Sequence, residues 1–135
     1  MTHPRRRVLC AEPHADTCSF IIELLAQQGH EVVSAKTVAE CVGLAGRDRF
    51  DLYMLDDDYI DGTALELCKR LREMTPETPI LFFSAQALSR DRERAMAAGA
   101  SAYLTKPDDI FDIVQTVNAI FAGRAPRRRN DAEKS

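Results

Sequence analysis

Short apolar runs alternate with helix-like periods five times along this chain. The runs Leu52-Tyr53-Met54-Leu55 and Ile80-Leu81-Phe82-Phe83 are continuous, as in strands covered on both faces of a parallel sheet. Further strands are expected at about Arg7 to Ala11, at Glu31 to Ala35 and, last and short, at Ala102 to Thr105. Between the first two, Cys18, Ile21, Ile22 and Leu25 keep one helical face, and Gly29 stops that helix. Thr37 and Glu40 form a capping box for a second helix with the stripe Val38, Cys41, Val42 and Ala45, ended by Gly46. Thr63 and Glu66 form another box for a third helix carrying Leu67, Leu71 and Met74, which Pro76 and Pro79 prevent from continuing. Ser89 to Ala98 has a helical pattern, but its first half, Arg90-Asp91-Arg92-Glu93-Arg94, has little apolar stripe, which marks the weakly anchored, mobile element. Asp108 is read as the cap of a last helix in which Ile110, Ile113, Val114, Val117, Ile120 and Phe121 run to Gly123. Strands and helices in this alternation give an α/β domain with right-handed crossovers.

Three polar groups close the apolar runs: Asp56 after Leu55, Ser84 after Phe83, and Lys106-Pro107 after Tyr103-Leu104-Thr105. Open α/β sheets gather ligands outside the carboxyl ends of their strands, so residues far apart in sequence can share one pocket there. A carboxylate beside a hydroxyl and a fixed cation is equipped to accept a phosphoryl group, as nucleophile, neutral donor and charge clamp. A hydrolase or nucleotide-binding enzyme has little support. No Gly-rich phosphate loop follows the first strand, and there is no Gly-x-Ser-x-Gly elbow.

With 135 residues, 45% of them hydrophobic, the chain reads as one domain over 6–122, with residues 1–5 as an N-terminal arm and 123–135 as a polar basic tail. A formal net charge of -3 gives no general reason to expect nucleic acid or an anionic membrane as partner. The runs Arg5-Arg6-Arg7 and Arg127-Arg128-Arg129 read as solvated ends. Cys10, Cys18, Cys41 and Cys68 contain no Cys-x-x-Cys pair and fall on strand or helix patterns, so they read as core thiols. With no signal-peptide core and no apolar stretch near the ~20 residues that span a bilayer, the expectation is a cytoplasmic protein.

Glu12 after the first strand, Asp51 to Asp56, Asp61-Gly62 opening the third helix, Ser84-Ala85, Gly99-Ala100, and Tyr103 with Lys106-Pro107 follow one another in an informative order. In that order they resemble the receiver domain of the bacterial two-component response regulators, most of all the single-domain chemotaxis regulators, over about Arg6 to Phe121. The resemblance implies a flavodoxin-like, five-stranded parallel sheet of order 2-1-3-4-5 with five helices on both faces. It makes Asp56 the phosphoacceptor, Ser84 and Tyr103 the switch pair, and Lys106 the phosphoryl-contacting cation, joined to Pro107 by a cis bond. It implies a sensor histidine kinase or phosphotransfer protein as phosphoryl source and a downstream protein target bound through the fourth helix, fifth strand and fifth helix. It admits a homodimer. No enzymatic activity is expected beyond forming and hydrolysing its own aspartyl phosphate.

Two departures from that pattern bear on function. Receivers carry two adjacent acids after the first strand, and here the pair is Glu12-Pro13, whose proline offers no ligand. The loop from Asp57 to Gly62 is also two residues shorter than the family's and lacks its proline. The implied Mg²⁺ is therefore expected at Glu12, Asp56 and Asp58, with weakened or altered binding. His14 is read as an exposed loop histidine, since imidazole suits softer metals. Two functions follow: a stand-alone receiver phosphorylated on Asp56, or a receiver-like interaction module that works without phosphorylation.

Overall fold

The structure, a computed structural model, describes residues 5–123, so most of the expected arm and the tail with Arg127 to Arg129 lie outside the described residues. Along the chain run β1 (Arg7–Ala11), α1 (Ala15–Ala26), β2 (Glu31–Ala35), α2 (Val38–Arg47) and β3 (Leu52–Leu55). Two short strands, β4 (Asp58–Tyr59) and β5 (Gly62–Thr63), precede α3 (Ala64–Met74), β6 (Ile80–Ser84), α4 (Ser89–Ala97), β7 (Ala102–Thr105) and α5 (Ile113–Phe121). The main sheet has the order β2-β1-β3-β6-β7 with every pairing parallel. Setting aside the small β4-β5 hairpin, that is the expected 2-1-3-4-5 flavodoxin-like order.

Successive residues of each strand serve opposite faces, and the core divides accordingly. Leu9, Tyr53, Leu55, Ile80 and Phe82 pack under α2, α3 and α4 through Cys41, Leu67, Leu71 and Ala95. Val8, Cys10, Leu52, Met54, Leu81 and Phe83 pack under α1 and α5 through Ile21, Leu25, Ile113 and Val117. Burying an aliphatic side chain of this kind contributes about 1.5–3 kcal/mol, so continuous apolar strands are needed to hold helices on both sides. The helices differ in how much they contribute. Whereas α3 buries Ala64, Leu67, Cys68 and Leu71, α4 fully buries only Ala95.

Several boundaries differ from the sequence expectation, each for a local reason. Thr37 caps α2 by accepting the Glu40 N–H, but the Glu40 carboxylate accepts from Lys36 N–H at 2.7 Å, so that box is only half formed. At Thr63 and Glu66 both halves are present. Gly46 does not end α2, which continues through Arg47. Asp108 does not cap the last helix: the buried Asp109 accepts the Thr105 N–H at 3.0 Å, and a 3₁₀ turn over Ile110–Asp112 leads into α5. The shortened loop is not irregular. It forms the β4-β5 hairpin, whose turn residue Asp61 accepts the Val38 and Ala39 N–H groups at 2.8 and 2.9 Å, supplying acceptors for the first turn of α2.

Candidate functional site

The carboxyl ends of β1, β3, β6 and β7 meet at one edge of the sheet, and each delivers a polar side chain there. Glu12 follows β1 and Asp56 follows β3, and both are buried, at 2% and 3% exposure. From the end of β7, beside a cis bond to Pro107, the Lys106 ammonium donates to Asp56 Oδ1 at 2.6 Å and to Glu12 Oε1 at 2.8 Å. Burial pushes the Asp56 carboxyl up from its ordinary value; the Lys106 bond opposes this, and the Glu12 and Asp57 charges reinforce it. Burial alone would lower Lys106, but its bonds to Asp56 and Glu12 outweigh it and hold the ammonium above its ordinary value.

Ser84 lies on the other flank of the cluster, bonded not to Asp56 but to Asp57. Its hydroxyl donates to Asp57 Oδ1, while Asp57 Oδ2 accepts the Ala85 N–H at 3.1 Å. Tyr103 stacks on Phe82 with ring centroids 5.7 Å apart and donates its hydroxyl to the Gln86 carbonyl at 2.6 Å. Burial raises the Tyr103 phenol above its ordinary value. A cavity of about 210 Å³ opens between these groups, lined by Asp56, Asp57, Ser84, Gln86, Arg94 and Tyr103.

Asp56, Lys106 and Glu12 are thus brought together, with Ser84 and Tyr103 across the cavity. Asp58 is exposed in β4, paired with Thr63, and is not grouped with Glu12 and Asp56. One participant, Tyr59, escaped the sequence reading, and a second, His14, was read as an exposed loop histidine. Tyr59 is buried beneath the site, donating its hydroxyl to the Ala11 carbonyl at 2.7 Å and accepting the Asp56 N–H at 2.9 Å, which ties the ends of β1 and β3 together. The side chain of His14 is exposed, yet it reaches back to bring Nε2 within 3.8 Å of Asp56 Oδ2. Spacing offered a signal for His14, two residues after Glu12 at the same sheet edge. None marked Tyr59, because its role depends on the hairpin.

The family model for the response regulator receiver domain matches residues 8–118. The chain belongs to that family. Curated relatives of this receiver include the transcriptional regulatory protein PcoR of Escherichia coli, 28% identical over 117 residues that cover 85% of this chain and 51% of the relative. The phosphate regulon transcriptional regulatory protein PhoB of Escherichia coli strain K12 is 28% identical over 123 residues, 90% of this chain and 54% of the relative. The receiver spans about half the length of these relatives. Among solved structures, a LuxR-family two-component response regulator from Aurantimonas sp. SI85-9A1 aligns with TM-score 0.87 at 26% identity, covering 96% of this chain and 94% of that one. The non-phosphorylated HemR receiver domain from Leptospira biflexa aligns with TM-score 0.82 at 27% identity, covering 91% and 99%.

Receivers in general are signalling domains with autophosphatase activity, act between histidine kinases and effectors, and bind Mg²⁺ through an acidic pocket. The clustered side-chain donors of this receiver are not all oxygen. Among the described residues the group able to ligate a metal is Glu12, His14 and Asp56, so the third donor is a nitrogen, and Pro13 contributes none. No helix among the described residues is long and apolar enough to cross a membrane.

Proposed function

We propose that this receiver takes a phosphoryl group onto Asp56 from a histidine kinase or phosphotransfer protein and passes the change to a protein bound at α4, β7 and α5. The observation that supports this reading is the Lys106 ammonium, 2.6 Å from the Asp56 carboxylate at the edge of an open cavity. A carboxylate oxygen of Asp56 attacks the phosphorus of the donor's phosphohistidine. The O–P bond forms as the N–P bond breaks, and the bonding pair returns to the donor imidazole. Lys106 balances charge on the transferred group, and Ser84 supplies a neutral donor once its hydroxyl leaves Asp57. Water attack on the same phosphorus restores Asp56, and no other reaction is assigned to the domain.

One observation favours a second reading, an interaction module that works without phosphorylation. The Asp57 carboxylate already engages Ser84 and the Ala85 amide, the donors a phosphoryl oxygen would use. One experiment separates the two: addition of acetyl phosphate with a divalent cation, followed by intact mass and by the amide NMR signals of Ser84, Ala85 and Tyr103. The phosphoacceptor reading expects a single adduct and shifts in all three signals, both absent in Asp56→Asn. An unmodified wild-type protein with unmoved signals would favour the interaction module, and an adduct that survives Asp56→Asn would remove Asp56 as acceptor.

A further inference from the structure

Glu12 and Asp56 are two carboxylates at 2% and 3% exposure that share one ammonium, Lys106, and Asp57 adds a third acid beside them. A buried carboxylate without a full counter-charge is costly, so the pocket carries an unmet demand for positive charge. Lys106 takes one oxygen of each acid. Asp56 Oδ2 faces the His14 imidazole at 3.8 Å, while Glu12 Oε2 accepts the His14 backbone N–H at 3.1 Å, holding that residue over the acids. One ligand atom from each of Glu12, His14 and Asp56 falls within 4.8 Å of the others. Nitrogen and oxygen ligands lie about 2.0–2.2 Å from a Zn²⁺-type ion, so two of them sharing a tetrahedral ion stand about 3.3–3.6 Å apart. The 3.8 Å pair lies within about half an ångström of that spacing, and the group as a whole, spread over no more than 4.8 Å, needs a closure of up to about 1.5 Å, to which the exposed His14 side chain can contribute.

We propose that Glu12, His14 and Asp56 form a site for a nitrogen-accepting divalent cation of the Zn²⁺ or Co²⁺ type, bound in preference to Mg²⁺. His14 supplies a third donor beside Glu12 and Asp56 where Pro13 supplies none. An imidazole nitrogen with two carboxylates is a poor match for Mg²⁺, which favours oxygen and octahedral order, and a good match for borderline first-row ions. The cation seats at the carboxylate proposed as phosphoacceptor, so this inference builds on that reading of the site, but its test uses no phosphodonor and the two can fail separately.

The experiment titrates the full chain with Zn²⁺, Co²⁺ and Mg²⁺ alone, following heat, the Co²⁺ visible spectrum and the histidine ring signals by NMR. His14 starts α1 without a side-chain cap bond, so His14→Ala removes the donor and leaves the helix start intact. One equivalent of Zn²⁺ is expected to bind with a shift of the His14 ring, and His14→Ala is expected to weaken it by at least about tenfold while leaving Mg²⁺ binding unchanged. Equal Zn²⁺ binding by wild type and His14→Ala would overturn the proposal. So would loss of binding in Cys18→Ala with His14 intact, no binding at all, or Mg²⁺ bound as tightly as Zn²⁺. Phosphorylation of Asp56 with Mg²⁺ in any of those cases would leave the phosphoacceptor reading standing.

Discussion

Glu12 and Asp57 are acids on opposite flanks of Asp56, yet they are satisfied in different ways. Glu12 shares an ammonium with Asp56, whereas Asp57 is held by a hydroxyl and a backbone amide. The Glu12 flank is buried and ionic, so its stability depends on charge balance. The Asp57 flank is more open and dipolar, so its bonds can be exchanged at smaller cost. The phosphoryl transfer proposed for this domain uses both behaviours within a few ångströms: a fixed charge clamp and a hydroxyl able to change partner.

Removing the clamp is expected to have the largest effect. Lys106→Met leaves two buried carboxylates facing each other and is expected to lower the unfolding free energy by about 2–4 kcal/mol in urea titration. Adding Glu12→Gln should recover a large part of that loss, and a double variant no more stable than the single one would show that the flank is not charge-limited. Between the flanks, Tyr59→Phe deletes a hydroxyl that serves both the Ala11 carbonyl and the Asp56 amide, both at buried strand ends. A loss of about 1–3 kcal/mol is expected by the same titration. The smallest effect belongs to Asp57→Ala. Because water can replace the carboxylate at this more open flank, it should lower global stability by less than Tyr59→Phe does, while speeding hydrogen exchange at the Ala85 amide about tenfold.

The same contrast runs through what the sequence disclosed. The five main strands were legible as short apolar runs alternating with helical periods, the order of the sheet was legible only through the resemblance to receiver domains, and Asp56, Ser84 and Lys106 were legible as the residues closing three of those runs. The Asp57 flank was not legible. Its geometry follows from a loop folding into a hairpin, and a shorter loop does not announce that Tyr59 will turn inward, that Asp58 will join a strand or that Asp57 will reach Ser84. His14 was legible as an exposed histidine, but its approach to Asp56 was not. Its neighbour Pro13 read as a missing ligand, and only the backbone path after β1 brings the imidazole toward Asp56. The misread start of α5 has a similar origin: Asp108 and Asp109 are chemically alike, and only the turn after β7 determines which is buried.

The thin attachment of α4, with Ala95 its only fully buried residue, bears on how such a domain diverges. Substitutions on an exposed helix surface usually change stability by no more than about 0.5 kcal/mol, so folding places little constraint on Arg90 and Glu93. A lineage can rewrite the outward face of this helix, and with it the surface proposed to meet a partner, while the sheet and the acids at its edge stay as they are.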